Sequence, residues 1–525
     1  MSADPVPTEL TLQQCAVQVH PADNVVVVRD EVQPGTLVKT PDGVTLTISG
    51  VVTPGNRFAT VEIADGEVVR QYNQPIGTSR GIRAGDPVTA LNMSDEVPVV
   101  RDLPGDLESP APDYLPESER SSFLGYRRAD GRVGTRNWIL VVPTSMCASH
   151  EAQQIALRAE LTLIPPEFAD RIDGVVAIPH NKGCGCPDGS NVDVVLQMLA
   201  TYAGHPNVGG VLFIDLGCEK TNKTYMEQHL GGEVETRFGK PAAWIGVQQC
   251  GGTQGTIDQG LKEIEAMMAE VVQVQREEAS ISELVLGVEC GGSDGYSGLS
   301  ANPALGFASD LLVQNGGTVI LSEVPEWCGA EHVLANRAKD AATGDAVYEL
   351  VDWYKKHAAR NGATLGENPS PGNVAGGLLN ITIKSLGAIA KGGTTRVEGT
   401  TDYGVPPSGR GLQLMQGPGY DQESVPGLVA SGATAVVFTT GRGTTIGNAI
   451  VPVVKLASNT SITERMPNDI DLSAGGVIDG KEGIEDVGHR VFEFLHTVAG
   501  GEAKTCAERN MHREFQIWSP QAMSL

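Results

Sequence analysis

Short runs of consecutive apolar residues recur along the middle of the chain, at 138–142, 175–178, 211–214, 244–247 and 284–288, and each stops where glycines begin. Uninterrupted apolar character, rather than alternation, marks a strand buried on both faces, as in a parallel sheet. Between these runs the apolar residues take helical spacing. Leu261, Ile264, Met268 and Val271 line one face of a helix expected over 256–277, and further helices are expected over 151–160, 191–203, 331–342 and 346–359. Strand, glycine-rich turn and helix in alternation predict a mostly parallel sheet covered by helices.

The two ends differ from the middle. From 10 to 92, β-rich stretches of a few residues alternate with turn signals such as Pro34-Gly35, Pro54-Gly55 and Ala84-Gly85-Asp86, which predicts a small all-β module. Residues 93–122 carry Pro98, Pro104, Pro110, Pro112 and Pro116 among acids and serines and read as a semi-rigid linker. A second α/β stretch follows from about 368, with a strand at 435–439 and a helix near 487–497. The expected class is therefore α/β: an all-β module over 1–92, a linker over 93–122, and a large catalytic region divided into 123–365 and 366–525.

Composition narrows the partners. Thirty-eight basic against sixty-four acidic residues give a net charge of −26, which repels phosphate backbones and anionic membrane surfaces. Neither nucleic acid nor a membrane is expected as a partner, and a cytoplasmic homo-oligomer acting on a small molecule is. If the substrate is an anion, a few local cations must outweigh the overall field at short range. An odd number of cysteines, nine, with no export signal in the first ten residues, fits reduced thiols rather than a disulfide framework.

Seven of those cysteines lie between Cys147 and Cys328, most of them just after the apolar runs. Strand C-termini are where open α/β sheets bind ligands, so thiols gathered there suggest a soft-metal or reactive site, although a cysteine is also a common buried residue. The basic block 125–137 contains Arg136, able to fork onto a carboxylate or to form a structural ion pair. His180 opens a tight loop with Cys184 and Cys186. Cys290 opens another in which glycines surround Ser293 and Asp294, suited to holding hydroxyl groups or serving as a plain connection. Thr440 and Arg442 sit in a glycine-flanked loop after the 435–439 strand, again suited to a carboxylate. The lysine of a P-loop is missing there.

Taken together, 125–137, 290–306 (CGGSDGYSGLSANPALG), 329–332 (GAEH), 368–387 (NPSPGNVAGGLLNITIKSLG), 418–421 (PGYD) and 438–447 (FTTGRGTTIG) closely resemble the altronate and galactarate dehydratase family. The resemblance implies a SAF-type β-module before a large α/β catalytic region. It also implies removal of water from an aldonic or aldaric acid to give a 2-keto-3-deoxy acid; related lyases eliminate sulfite from sulfolactate. The N-terminal module departs from the family pattern: Gly55-Asn56 stands where relatives carry a histidine after the glycine, and Thr89-Ala90-Leu91-Asn92 replaces a His-x-His-Asn string.

Such an elimination needs a Lewis acid or equivalent for the α-carbanion, a base for the α-proton and an acid for the departing oxygen. The resemblance points to Lys384 or His180 as base and to His332 for proton delivery. Arg136, Arg442, Ser293, Asp294, Asn380 and Thr440 are the expected substrate contacts. Cys147, Cys184, Cys218 and Cys290 fall at family cysteine positions and are the expected metal ligands. The cofactor is expected to be iron, as mononuclear Fe(II) (or Mn(II)) or as a [4Fe-4S] cluster. The other readings are a sulfolactate-type C–S lyase and a non-catalytic sugar-acid binding homologue.

Overall fold

The computed structural model describes residues 8–520 apart from 96, 98 and 99. Its N-terminal module is built of short strands in three small sheets, packed around Val26, Val28, Val38, Ile48, Val52 and Phe58. Behind it, the expected parallel architecture is present as two sheets.

The first sheet contains β1 (Trp138–Pro143), β2 (Gly174–Ala177), β3 (Val208–Asp215) and β4 (Ala242–Gly246) in the spatial order β2-β1-β3-β4, all parallel. The second contains β5 (Val285–Cys290), β6 (Thr318–Leu321), β7 (Val397–Thr401), β8 (Gly411–Met415), β9 (Ala435–Thr440), β10 (Val453–Ala457) and β11 (Leu472–Ser473), ordered β7-β8-β6-β5-β9-β10-β11 and likewise parallel.

The apolar runs explain why the two sheets stack. Helices α1 (Ser149–Thr162) and α3 (Thr253–Val271) cover the outer face of the first sheet through Ile155, Ala159, Ile264 and Met268. Its inner face shares one core with the near face of the second sheet, filled by α2 (Ser190–Ala203) and α6 (Asp421–Ala430). The far face of the second sheet packs on α4 (Ala301–Gln314) and α7 (Ile484–Gly500). Alternate residues of β9 show the arrangement: Val436 and Phe438 point into the shared core, Ala435 and Val437 into the outer one.

Three expectations change. The division near 365 does not separate two sheets, because the second sheet takes β5 and β6 from one side of it and β7 to β11 from the other; the passage between sheets falls between Gly246 and Val285. The helix expected over 256–277 ends at Val271, because Glu277–Ser280 pairs instead as an antiparallel strand with residues 122–125. The helix expected over 331–342 is the short Glu331–Ala335 followed by a new one, Ala341–Arg360, whose N-cap Asp340 accepts a hydrogen bond from Thr343 N. The linker is pinned along the body: Arg101 forms ion pairs with Asp352 (2.9 Å) and Glu331 (3.1 Å), and Leu115 N donates to Gln314 O. Among the described residues no helix is long and apolar enough to cross a membrane.

Candidate functional site

At the C-terminal end of the second sheet, β5 delivers Glu289 and Cys290 and the turn after β6 delivers Glu323 and Glu326, all of them buried. Glu323 holds a left-handed backbone (φ 67°), uncommon for a side chain other than glycine or asparagine. Two buried lysines meet these acids. Lys384, on α5 (Ile381–Ala388), places Nζ 2.6 Å from Glu326 Oε1 and 2.9 Å from Asn368 Oδ1. Lys391, in the short turn Ile389–Gly392 that follows α5, places Nζ 2.6 Å from Glu323 Oε2 and 3.0 Å from Cys290 Sγ, which in turn lies 3.3 Å from Glu326 Oε2.

Burial and mutual charge set the proton inventory. Burial raises Glu326 but Lys384 and Lys391 outweigh it and hold the carboxyl below its ordinary range, whereas burial pushes Glu323 up to about 8. Asp421, at the start of α6, is pushed up to about 7 by burial and then by Glu326. Burial with Glu323 and Asp421 alongside raises Glu289 further. Lys384, despite burial, is held above its ordinary value by Glu326, so it rests as an ammonium. The Cys290 thiol is pushed well up by burial and rests neutral.

The expected substrate contacts gather around the segment 368–377. Asn368 bonds Lys384 Nζ; Gly372 packs where a Cβ would lie 3.5 Å from Arg442 Nε; and Asn373 Nδ2 donates to Ser293 O at 2.8 Å. The Arg442 and Gly441 amides both donate to Gly292 O, and Thr440 Oγ1 accepts from Gly443 N. Arg442 is exposed, and Ser293 Oγ is buried without a partner. Asp294 and Asn380 are already committed. Asp294 accepts from the Tyr296 and Ser297 amides and from Ser297 Oγ, Ser458 Oγ and Asn459 Nδ2. Asn380 caps α5 and donates to Ile76 O of the N-terminal module. They shape the loop rather than offer free groups.

The first sheet's strand ends carry Cys147, Cys184 and Cys218, all exposed free thiols, on three neighbouring strands. Their loops are laced together: Met146 N donates to Lys182 O at 2.7 Å, and Thr144 and Ser145 hydroxyls donate to Glu219 Oε1 at 2.9 and 3.1 Å. Cys290 stands apart, in the buried lysine and glutamate cluster of the second sheet. The two regions meet at Lys182, whose charge lowers the otherwise burial-raised Glu423 in the first turn of α6.

Three further candidates are tied down to differing degrees. Arg136 is 1% exposed, forks onto both oxygens of Glu508 (2.6 and 3.0 Å) and donates to Thr135 O and Val498 O. Every arm of that guanidinium fastens the chain's C-terminal segment, so its physical role is a structural clamp. His180 has both ring nitrogens used, Nε2 donating to Pro143 O at 2.8 Å and Nδ1 accepting from Lys182 N; burial lowers it to about 4. His332 donates through Nε2 to Gln74 Oε1 of the N-terminal module at 3.0 Å, its Nδ1 is buried without a partner, and burial lowers its pKa.

The N-terminal module closes on its own chain. Gly55 lies against Gly295, Gly376 and Gly377, where a Cβ would clash with Gly376 O at 2.6 Å; buried Arg57 donates to Gly377 O; and Tyr296 Oη donates to Val28 O and Arg29 O. Where the family pattern has histidines, Asn56 Nδ2 donates to Thr53 Oγ1 and Thr89 N donates to Asn92 Oδ1.

Glu289, Glu323, Glu326, Lys391 and Asp421 were not singled out from the sequence. The available signal was a lone acid closing an apolar run, as in Val285–Cys290.

Three family models tile the chain: the altronate/galactarate dehydratase SAF domain over residues 14–96, the second domain of D-galactarate dehydratase/altronate hydrolase over 125–272, and the C-terminal domain of D-galactarate/altronate dehydratase over 281–523. The chain is 35% identical to an altronate dehydratase of Escherichia coli (strain K12), covering 96% of this chain and 98% of that one. It is 36% identical to the galactarate dehydratase (L-threo-forming) of the same organism, covering 96% of each. A (2R)-sulfolactate sulfo-lyase subunit beta of Chromohalobacter salexigens is 33% identical over 76% of this chain and 98% of its own length.

Proposed function

The chain belongs to the D-galactarate/altronate dehydratase family, and on that premise we propose that it is a hydro-lyase, removing water from an aldonate or aldarate to give a 2-keto-3-deoxy acid. The carrying observation is that segment 368–377 gathers Lys384, Arg442 and the Ser293 loop on one side of a single sheet. Dehydratase relatives match over 96% of the chain and the sulfo-lyase subunit over 76%, which favours water over sulfite as the leaving group.

In this reading Arg442, exposed at the loop tip, takes the substrate carboxylate. Lys384 rests as an ammonium between Glu326 and Asn368, so it donates a proton to the departing hydroxyl oxygen instead of serving as base. His332 takes the opposite role: neutral, with Nε2–H engaged by Gln74, it keeps a lone pair on Nδ1 for the α-proton. His180 and Arg136 are left with structural duties.

Cys147, Cys184 and Cys218, exposed on laced, adjacent strand ends, do not converge closely enough among the described residues to hold a single ion, so as soft donors they would suit an iron–sulfur cluster rather than mononuclear iron. Iron held there would supply Lewis acidity for the α-carbanion. The test is anaerobic incubation with a panel of aldonates, aldarates and sulfolactate, assaying 2-keto acid and sulfite. A 2-keto-3-deoxy acid is expected; sulfite release, or binding without turnover, overturns the assignment.

A further inference from the structure

One hairpin of the N-terminal module enters the catalytic body at its tip. Its strands, Val68–Gln71 and Gln74–Ser79, pair antiparallel with Tyr72 and Asn73 as the two-residue turn between them. Both turn residues hold left-handed backbone (φ 60° and 56°), which asparagine takes readily and tyrosine does not. Buried Asp23 imposes it: Oδ2 accepts from Tyr72 N at 3.1 Å and from His20 N at 3.0 Å, and Oδ1 accepts from Asn73 N at 2.8 Å. Tyr72 then plugs into a notch cut by two glycines. A Cβ on Gly298 would meet Tyr72 Oη at 2.5 Å, and one on Gly387 of α5 would lie 3.6 Å from it. Beyond the turn, Asn380 Nδ2 at the cap of α5 donates to Ile76 O at 2.8 Å.

A tip fastened at these three points delivers Gln74 to His332. The amide Oε1 faces His332 Nε2 at 3.0 Å, and a carbonyl oxygen can only accept, so the ring proton sits on Nε2. Among the described residues no other hydrogen bond reaches that ring, and Nδ1 is buried with its lone pair unused. The neighbouring charges are matched among themselves and do not choose the tautomer. Glu331, on the same short helix, pairs with Arg101 of the linker at 3.1 Å and with Lys355 of the helix Ala341–Arg360 at 3.3 Å, while burial pushes the Cys328 thiol up and leaves it neutral.

We propose that Gln74 is a positioning residue for His332, holding the imidazole as the Nε2–H tautomer with Nδ1 free for the α-proton, so that the N-terminal module completes the base. The other tautomer carries its proton on Nδ1 and offers no lone pair there. Which proton the ring then takes rests on the dehydratase reading; that Gln74 sets the ring does not.

Full-length Gln74→Leu and Gln74→Glu, each checked for parent-like circular dichroism, would be followed in two ways. Ring 15N signals of selectively labelled histidine, with those of His332 assigned by their loss in His332→Gln, report the tautomer without turnover: Nε2–H alone is expected in the parent and a mixture with Nδ1–H in Gln74→Leu. In the 2-keto acid assay Gln74→Leu should lower kcat at least about tenfold with KM within about twofold of the parent. Gln74→Glu keeps an acceptor in place and adds a carboxylate that favours the imidazolium. Its His332 signals, and the acid limb of its kcat profile, should move up by about one pH unit, with kcat recovering toward the parent above that limb. It carries the test if Gln74→Leu fails to fold. A hairpin that only fastens the module would move neither tautomer nor limb. The Nε2–H tautomer retained in Gln74→Leu, or an unmoved His332 titration in Gln74→Glu, overturns the proposal. A parent without turnover would fail the dehydratase reading instead, and the ring signals would still decide for or against Gln74.

Discussion

The strand ends of the two sheets have the same topology and opposite chemistry. Those of the first sheet present exposed, unpaired thiols on loops held by hydroxyl and amide hydrogen bonds; those of the second present acids and lysines sealed from water and neutralising one another. Solvent access accounts for the contrast. A thiol needs no counter-charge and can wait at the surface for a soft metal, whereas a buried carboxylate needs hydrogen-bond donors or a cation beside it. A strand-end cysteine is therefore informative only together with its neighbours: Cys290, which like Cys218 follows an apolar strand, belongs to the acid and lysine cluster.

The sharpest way to break this contrast is Lys384→Met. Turnover should fall by at least about a thousandfold, the scale of losing a proton-transfer group, with substrate affinity by calorimetry changed much less. A normal kcat would remove the second sheet from the chemistry.

The next test separates the cysteines. Cys184→Ser should lose iron from anaerobically purified protein, measured by metal analysis and visible absorbance, while Cys290→Ser keeps the parent iron content. Equal loss in both would join the two regions into one metal site.

Arg136→Met probes a clamp rather than a site. Leaving Glu508 without its partner should cost about 3 kcal/mol in urea unfolding, with KM unchanged in the enzyme that remains folded. A raised KM with stability intact would return Arg136 to the substrate.

A fourth test, of a size similar to the third, concerns pH. Burial lowers His180 from 6.5 to about 4, so the folded state holds it neutral while the unfolded chain takes up a proton below about 6.5. Stability is thus full above pH 6.5 and is lost as the pH falls toward 4, by on the order of 3 kcal/mol for this group. His180→Gln should flatten that part of the stability profile; an unchanged slope would mean that the histidine is not sealed.

Much of the fold was legible because buried parallel strands have no polar face to disguise them: 138–142 and 284–288 read as strands and are strands. The division near 365 was not legible, since hydrogen bonding between β6 and β8 joins residues about ninety positions apart and leaves no local mark. The site was half visible. Glycine-bordered loops located Ser293 and Arg442, but the partners that decide a group's role lie far away in sequence. Glu508 is 372 positions from Arg136, and Gln74 is 258 from His332. Lys384 was found and its protonation state was not, because that depends on Glu326 across a turn no spacing rule predicts.

The docking of Arg57 on Gly377 O spans 320 positions. A ribosome adding roughly 10 residues per second needs about half a minute to reach from one to the other. During that interval the newborn N-terminal module carries an arginine built for burial and a glycine face at Gly55 with nothing yet to lie against. Translation of this chain therefore completes its pocket last, and a product released early would carry a lid without a vessel.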